Sequence, residues 1–107
     1  MTTDRRALSG KTILVTGAAK RLGRAIALAA AENGAHVAIT YRESEREARA
    51  VVRELAGRGV EALAVRCDVT DEVSVREMVK EVVSTLGGID VLVNNAANYE
   101  KIGRAHV

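Results

Sequence analysis

The chain has 107 residues, 48% of them hydrophobic, with two tyrosines and no phenylalanine or tryptophan, which bounds it to one soluble domain with a core of Val, Ile, Leu and Ala. Residues 101–107 hold Lys101 and Arg104 and no acid, so the net charge of +2 belongs to that tail; elsewhere 14 basic and 14 acidic side chains balance, and no nucleic-acid surface is expected. No apolar run approaches membrane-spanning length, residues 1–10 are polar, and Cys67 stands alone, which together predict a cytoplasmic protein without anchor, secretion signal or disulfide.

Residues 1–10 read as a loose leader, with Leu8 against the first strand. Residues 12–16 form that strand, and residues 21–32 a helix closed by Asn33-Gly34, with Leu22, Ile26, Ala29 and Ala30 as its buried stripe. A second strand covers residues 36–41. Ser44-Glu45-Arg46-Glu47 has the spacing of a capping box, and the helix it opens buries Ala48, Val51, Val52, Leu55 and Ala56 before Gly57-Arg58-Gly59. Residues 61–66 are a third strand, ending just before Cys67, which suits a small buried residue better than a nucleophile. Thr70 caps a helix with Val75, Met78, Val79, Val82, Val83 and Leu86 at helical spacing, Gly87-Gly88 stops it, and residues 90–94 are a fourth strand.

Strands alternate with helices and no hairpin signal interrupts them. Right-handed crossovers then predict the α/β class: a Rossmann-type doubly wound parallel sheet, incomplete, its first four strands in the order 3-2-1-4. The switch point falls between the first and fourth strands, and a ligand is expected at their carboxyl ends beside Gly17 and Asn95. There an apolar strand ends at Gly17, where the backbone can turn tightly and approach an anion. The helix beginning near Arg21 aims its unpaired N–H groups at the same place. The common dinucleotide fingerprint has three glycines, and only Gly17 and Gly23 are present, so the stretch alone also fits a plain tight turn. His36 has no second ligand near it in the pattern and predicts no metal site, and Ser74 and Ser84 fall on helix surfaces.

Thr16-Gly17-Ala18-Ala19-Lys20-Arg21-Leu22-Gly23, Asp68-Val69, and Val93-Asn94-Asn95-Ala96-Ala97 resemble, in order and spacing across residues 10–100, three motifs of the short-chain dehydrogenase/reductase family. Arg21 stands where the middle glycine is usual and Ala97 where the asparagine motif usually has glycine. The Ala-Ala-Lys-Arg-Leu-Gly wording resembles the pteridine-reductase-like branch. The resemblance implies that Gly17, Ala18, Ala19, Lys20 and the amide of Leu22 wrap the pyrophosphate and adjoining ribose of a dinucleotide. It implies that Asp68 accepts from the adenine amino group with Val69 on the ring, that Asn95 and Ala96 line the nicotinamide-side ribose, and that Asn94 ties the fourth strand to its neighbours. Asp68 can also serve simply as a carboxylate at the head of the next helix.

Members of the family that prefer NAD place an acid at the end of the second strand. Here Tyr41 stands there, followed by Arg42, and Arg42 with Lys20 and Arg21 in the loop points to NADP(H). Glu43 opposes that reading if it turns inward. Family members go on to an asparagine, a serine and a Tyr-x-x-x-Lys pair. None is found within the 107 residues, so no catalytic residue is assigned, Tyr99 has no lysine at the needed spacing, and the chain alone is expected to be inactive. Residues 101–107 back-translate to AAGATCGGAAGAGCACACGTC, which from its second base matches a widely used short-read sequencing adapter, and they are expected to be an artefact tail behind a nucleotide-binding half at residues 11–100.

The expected function is the NADP(H)-binding N-terminal part of an oxidoreductase acting on a carbonyl, alcohol or pteridine-like small molecule. The full-length protein is expected to be a homo-oligomer, with no nucleic-acid or membrane partner. Two rivals are a non-catalytic dinucleotide-binding regulator and an interaction module whose open apolar edge at Val91–Val93 pairs with another chain.

Overall fold

Four short runs rich in β-branched and small residues alternate with three helices in the computed structural model, which describes residues 7–96. The elements are β1 (Thr12–Val15), α1 (Arg21–Glu32), β2 (His36–Tyr41), α2 (Glu45–Ala56), β3 (Ala62–Arg66), α3 (Glu72–Leu86) and β4 (Val91–Val93). The sheet is parallel throughout in the order β3-β2-β1-β4, as the alternation predicts. Ile13 lies opposite Val37 and Val91, and Ile39 opposite Ala64. Each strand lies within a residue of the span read from the sequence. The leader up to residue 6, Ala97, Tyr99 and the tail at residues 101–107 lie outside the described residues.

Side chains alternate between two faces of this sheet. Ile13, Val15, Val37 and Ile39 point to one face, where α1 and α2 cover them with Ala27, Ala30, Ala31, Ala48, Val51 and Leu55. Leu14, Ala38 and Val65 point to the other, against Met78 and Val82 of α3, with Cys67 buried among them as expected. The lower end is closed by Asp90, whose N–H donates to the carbonyl of Thr12 and whose carboxylate accepts from the Thr12 N–H, both at 2.8 Å.

Several local expectations are corrected. Residues 7–10 are a turn and not loose, the Leu8 N–H donating to Asn33 O at 2.8 Å, while Leu8 packs on the core as expected. The inward face of α1 is Gly23, Ala27, Ala30 and Ala31, whereas Leu22 is 63% exposed and Ala29 is exposed. A small-residue row lets the helix lie against the loop and sheet at distances a leucine would prevent. Ser44 makes no side-chain cap, so the capping box does not form. The cap of α3 is Asp71, whose carboxylate accepts from the Val73 N–H, while Thr70 turns back to Asp68. Ala56, Val79 and Val83 are exposed, because a single neighbouring sheet face cannot cover the whole apolar arc of either helix.

Candidate functional site

Parallel pairing brings the carboxyl ends of all four strands to one edge of the sheet, where the glycine loop, Arg42, Asp68 and Asn95 lie. Gly17 follows β1, Tyr41 and Arg42 leave β2, Asp68 follows β3, and Asn95 follows β4. The loop after β1 is held by two buried threonines. Thr40, 1% exposed, accepts the Gly17 N–H on its hydroxyl at 3.1 Å, and its carbonyl accepts the Ala18 N–H at 3.2 Å. The Thr16 hydroxyl accepts the N–H groups of Asn95 and Ala96, each at 2.9 Å, and faces Asn94 Oδ1 at 3.2 Å. Asn94 thus ties the end of β4 to β1, as expected. In the sequence Thr16 carries only a motif position, and one threonine in an apolar strand, Thr40, does not disturb the hydrophobic pattern.

Two glycines make the loop possible. Gly17 has φ +65°, and a Cβ there would stand 2.8 Å from the Cβ of Ala96. A Cβ on Gly23 would stand 2.6 Å from both Asn95 Nδ2 and Gly17 O, so the first turn of α1 packs directly on the loop and on the exit of β4. Asn95 Nδ2 donates to Gly17 O at 3.0 Å, a brace inside the site. Arg21, at the position of the usual middle glycine, adopts φ +56°, the left-handed conformation a glycine would take freely.

The amides of Gly17 and Ala18 are therefore engaged with Thr40, and the Ala18 and Ala19 side chains are buried. Donors remain at the start of α1. The Arg24 N–H donates to Lys20 O, so the N–H groups of Arg21, Leu22 and Gly23 precede the helical ladder, and no side chain caps them. The first turn carries no acid. This end of α1 is electropositive and suited to an anion.

The predicted cations are not gathered at one point. Lys20 lines a groove between α1 and α2 with Arg24, Glu47 and Glu54, and Tyr41 half-buries its ring on the α2 side of the sheet near Arg49. Arg42 leans the other way, its Nη2 lying 3.6 Å from Asp68 Oδ2. Glu43 is exposed and does not turn inward. Asp68 Oδ1 accepts from the Thr70 hydroxyl at 2.6 Å and the Thr70 N–H at 3.0 Å. Those hydrogen bonds, side chain before backbone and then the charges of Arg42 and Arg66, hold its carboxyl below the usual aspartate range. Val69 is 37% exposed beside it, a free apolar surface at the same edge. Among the described residues, no group of three or more His, Cys, Asp or Glu could hold a metal ion, and no helix is long and apolar enough to cross a membrane.

The family model described as short chain dehydrogenase matches residues 11–106. The 3-oxoacyl-(acyl-carrier-protein) reductase FabG of Staphylococcus epidermidis is 51% identical over 86 residues, covering 80% of this chain and 35% of its own length. A crystal structure of a short chain dehydrogenase from Burkholderia cenocepacia in complex with NADP superposes with a TM-score of 0.81 at 47% identity, covering 84% of this chain and 37% of that one. An NAD+-bound xylitol dehydrogenase superposes with a TM-score of 0.76 at 37% identity, covering 80% and 33%. The chain thus spans about a third of the length of the relatives it matches. With the family match running through every strand and the glycine loop, the chain belongs to the short-chain dehydrogenase family.

Proposed function

We propose that this chain is the NADP(H)-binding part of an oxidoreductase acting on the carbonyl or alcohol group of a small molecule. The observation that carries the reading is Arg42: the residue leaving β2 at the sheet's carboxyl edge is a cation, where a carboxylate would favour a free ribose hydroxyl. The uncapped start of α1 fits the pyrophosphate, with the amide of Leu22 among its free donors, and Gly17 and Gly23 let the loop, α1 and the exit of β4 pack closely enough to hold it there. Asp68 and Val69 fit the adenine, one as acceptor and one as an apolar wall. Asn95 and Ala96 hold the loop beneath the second ribose. When bound, the nicotinamide supplies hydride exchange with the substrate carbon. This chain's residues bind and orient it.

The test is to titrate NADPH and NADH into the full chain and into Arg42→Ala. NADPH is expected to bind at least about tenfold more tightly, the worth of one charge-assisted contact, and Arg42→Ala to remove that preference. Equal affinities in the unaltered protein, or a preference that survives Arg42→Ala, would overturn the assignment.

A further inference from the structure

We propose that Arg66 is a positioning residue for cofactor choice: it holds the turn that carries Arg42, and so sets how strongly the protein prefers a 2′-phosphorylated dinucleotide. The proposal rests on the assignment of Arg42 to the 2′-phosphate. That turn has little restraint of its own. Ser44 supplies no side-chain cap to α2, and Arg42 and Glu43 are exposed. Its restraint comes from the end of β3 instead. Tyr41 and Arg66 form the last pair of the β2–β3 ladder. Immediately beyond, the Cys67 N–H donates to Tyr41 O at 2.9 Å, and Arg66 Nε–H donates to Arg42 O at 3.1 Å. Asp68, itself pinned by Thr70, faces the Arg42 guanidinium at 3.6 Å. Three consecutive residues of one strand end thus hold the carbonyl of Tyr41 and both the main chain and the side chain of Arg42.

Arginine suits this work because its Nε–H lies partway along the side chain, where lysine has only methylene. Arg66 is exposed, so its truncation leaves both packed faces of the sheet untouched. The residue acts on the cofactor through Arg42.

The experiment measures NADPH and NADH dissociation constants by nicotinamide fluorescence for the full chain, Arg66→Ala, Arg42→Ala and the double variant, with melting temperatures recorded alongside. Arg66→Ala is expected to weaken NADPH by about fivefold, the worth of one hydrogen bond, and NADH by less than about twofold. The double variant should bind NADPH no more weakly than Arg42→Ala alone, because both changes remove the same contact. Equal losses for the two cofactors would mark a merely structural role and overturn the proposal, as would losses that multiply in the double variant. If Arg42→Ala leaves the preference intact, the 2′-phosphate assignment and this proposal fall together. If Arg42→Ala removes it and Arg66→Ala does not reduce it, this proposal alone falls.

Discussion

Asp68 joins a local turn to the neighbouring strand end with one side chain. Its Oδ1 takes both donors of Thr70 and its Oδ2 faces Arg42, so the half-buried carboxylate is stabilised in its charged form. A carboxyl whose folded pKa lies below its unfolded value contributes stability above the unfolded value, and that contribution is lost as the pH falls through the folded one. Asp68 is therefore expected to titrate below ordinary aspartates in carboxyl-detected NMR. Thr70→Val, which removes the hydroxyl donor and keeps the amide, should move its midpoint upward by more than Arg42→Ala does. No upward movement in Thr70→Val would show that the hydroxyl bond is not the main cause. The motif letters marked Asp68 as a site residue, but its grip on Thr70 was hidden, because the same threonine is an equally good helix cap on paper. At Arg21 the reverse holds: the missing glycine was plain in the sequence, and the structure places a non-glycine residue at φ +56° there.

At the scale of elements, β1 and β4 are joined by more than their ladder. The Thr16 hydroxyl accepts two N–H groups from the chain leaving β4, and Thr16 N–H donates to Val93 O at 3.0 Å. Thr16→Val keeps the shape and removes the acceptor, leaving two part-buried amides without it. That is expected to cost about 1–3 kcal/mol in urea unfolding and to weaken both cofactors alike. A loss below about 0.5 kcal/mol would mean that water replaces the hydroxyl without penalty. Hydrophobicity ranks Leu22 as core and Gly23 as neutral. Contact distance reverses the order, since Gly23 must lie against Gly17 O and Asn95 while Leu22 stands 63% exposed.

The molecule as a whole is two unequal layers on one parallel sheet. Among the described residues, two helices cover the face of Ile13, Val15, Val37 and Ile39, and α3 packs against Leu14, Ala38 and Val65. The proposed site draws on the ends of β1, β2, β3 and β4 and the start of α1, so a dinucleotide bound there would couple binding to global stability. At about a hundredfold excess over its dissociation constant, NADPH is expected to raise the unfolding free energy by about 2.7 kcal/mol, with NADH at the same concentration adding less. An unchanged melting temperature under saturating NADPH would contradict binding at this edge. From sequence alone, the element order and the parallel strand order were determined, because glycine stops, apolar periods and right-handed crossovers are local rules acting in series. Only the tertiary structure decided that Thr40 holds the glycine loop, that Thr16 clasps the exit of β4, that Asn95 supports Gly17 and that Arg66 grips Arg42. Each of those contacts joins side chain to backbone across separate strands, and nothing in the local spacing of residues specifies which partner a donor will meet.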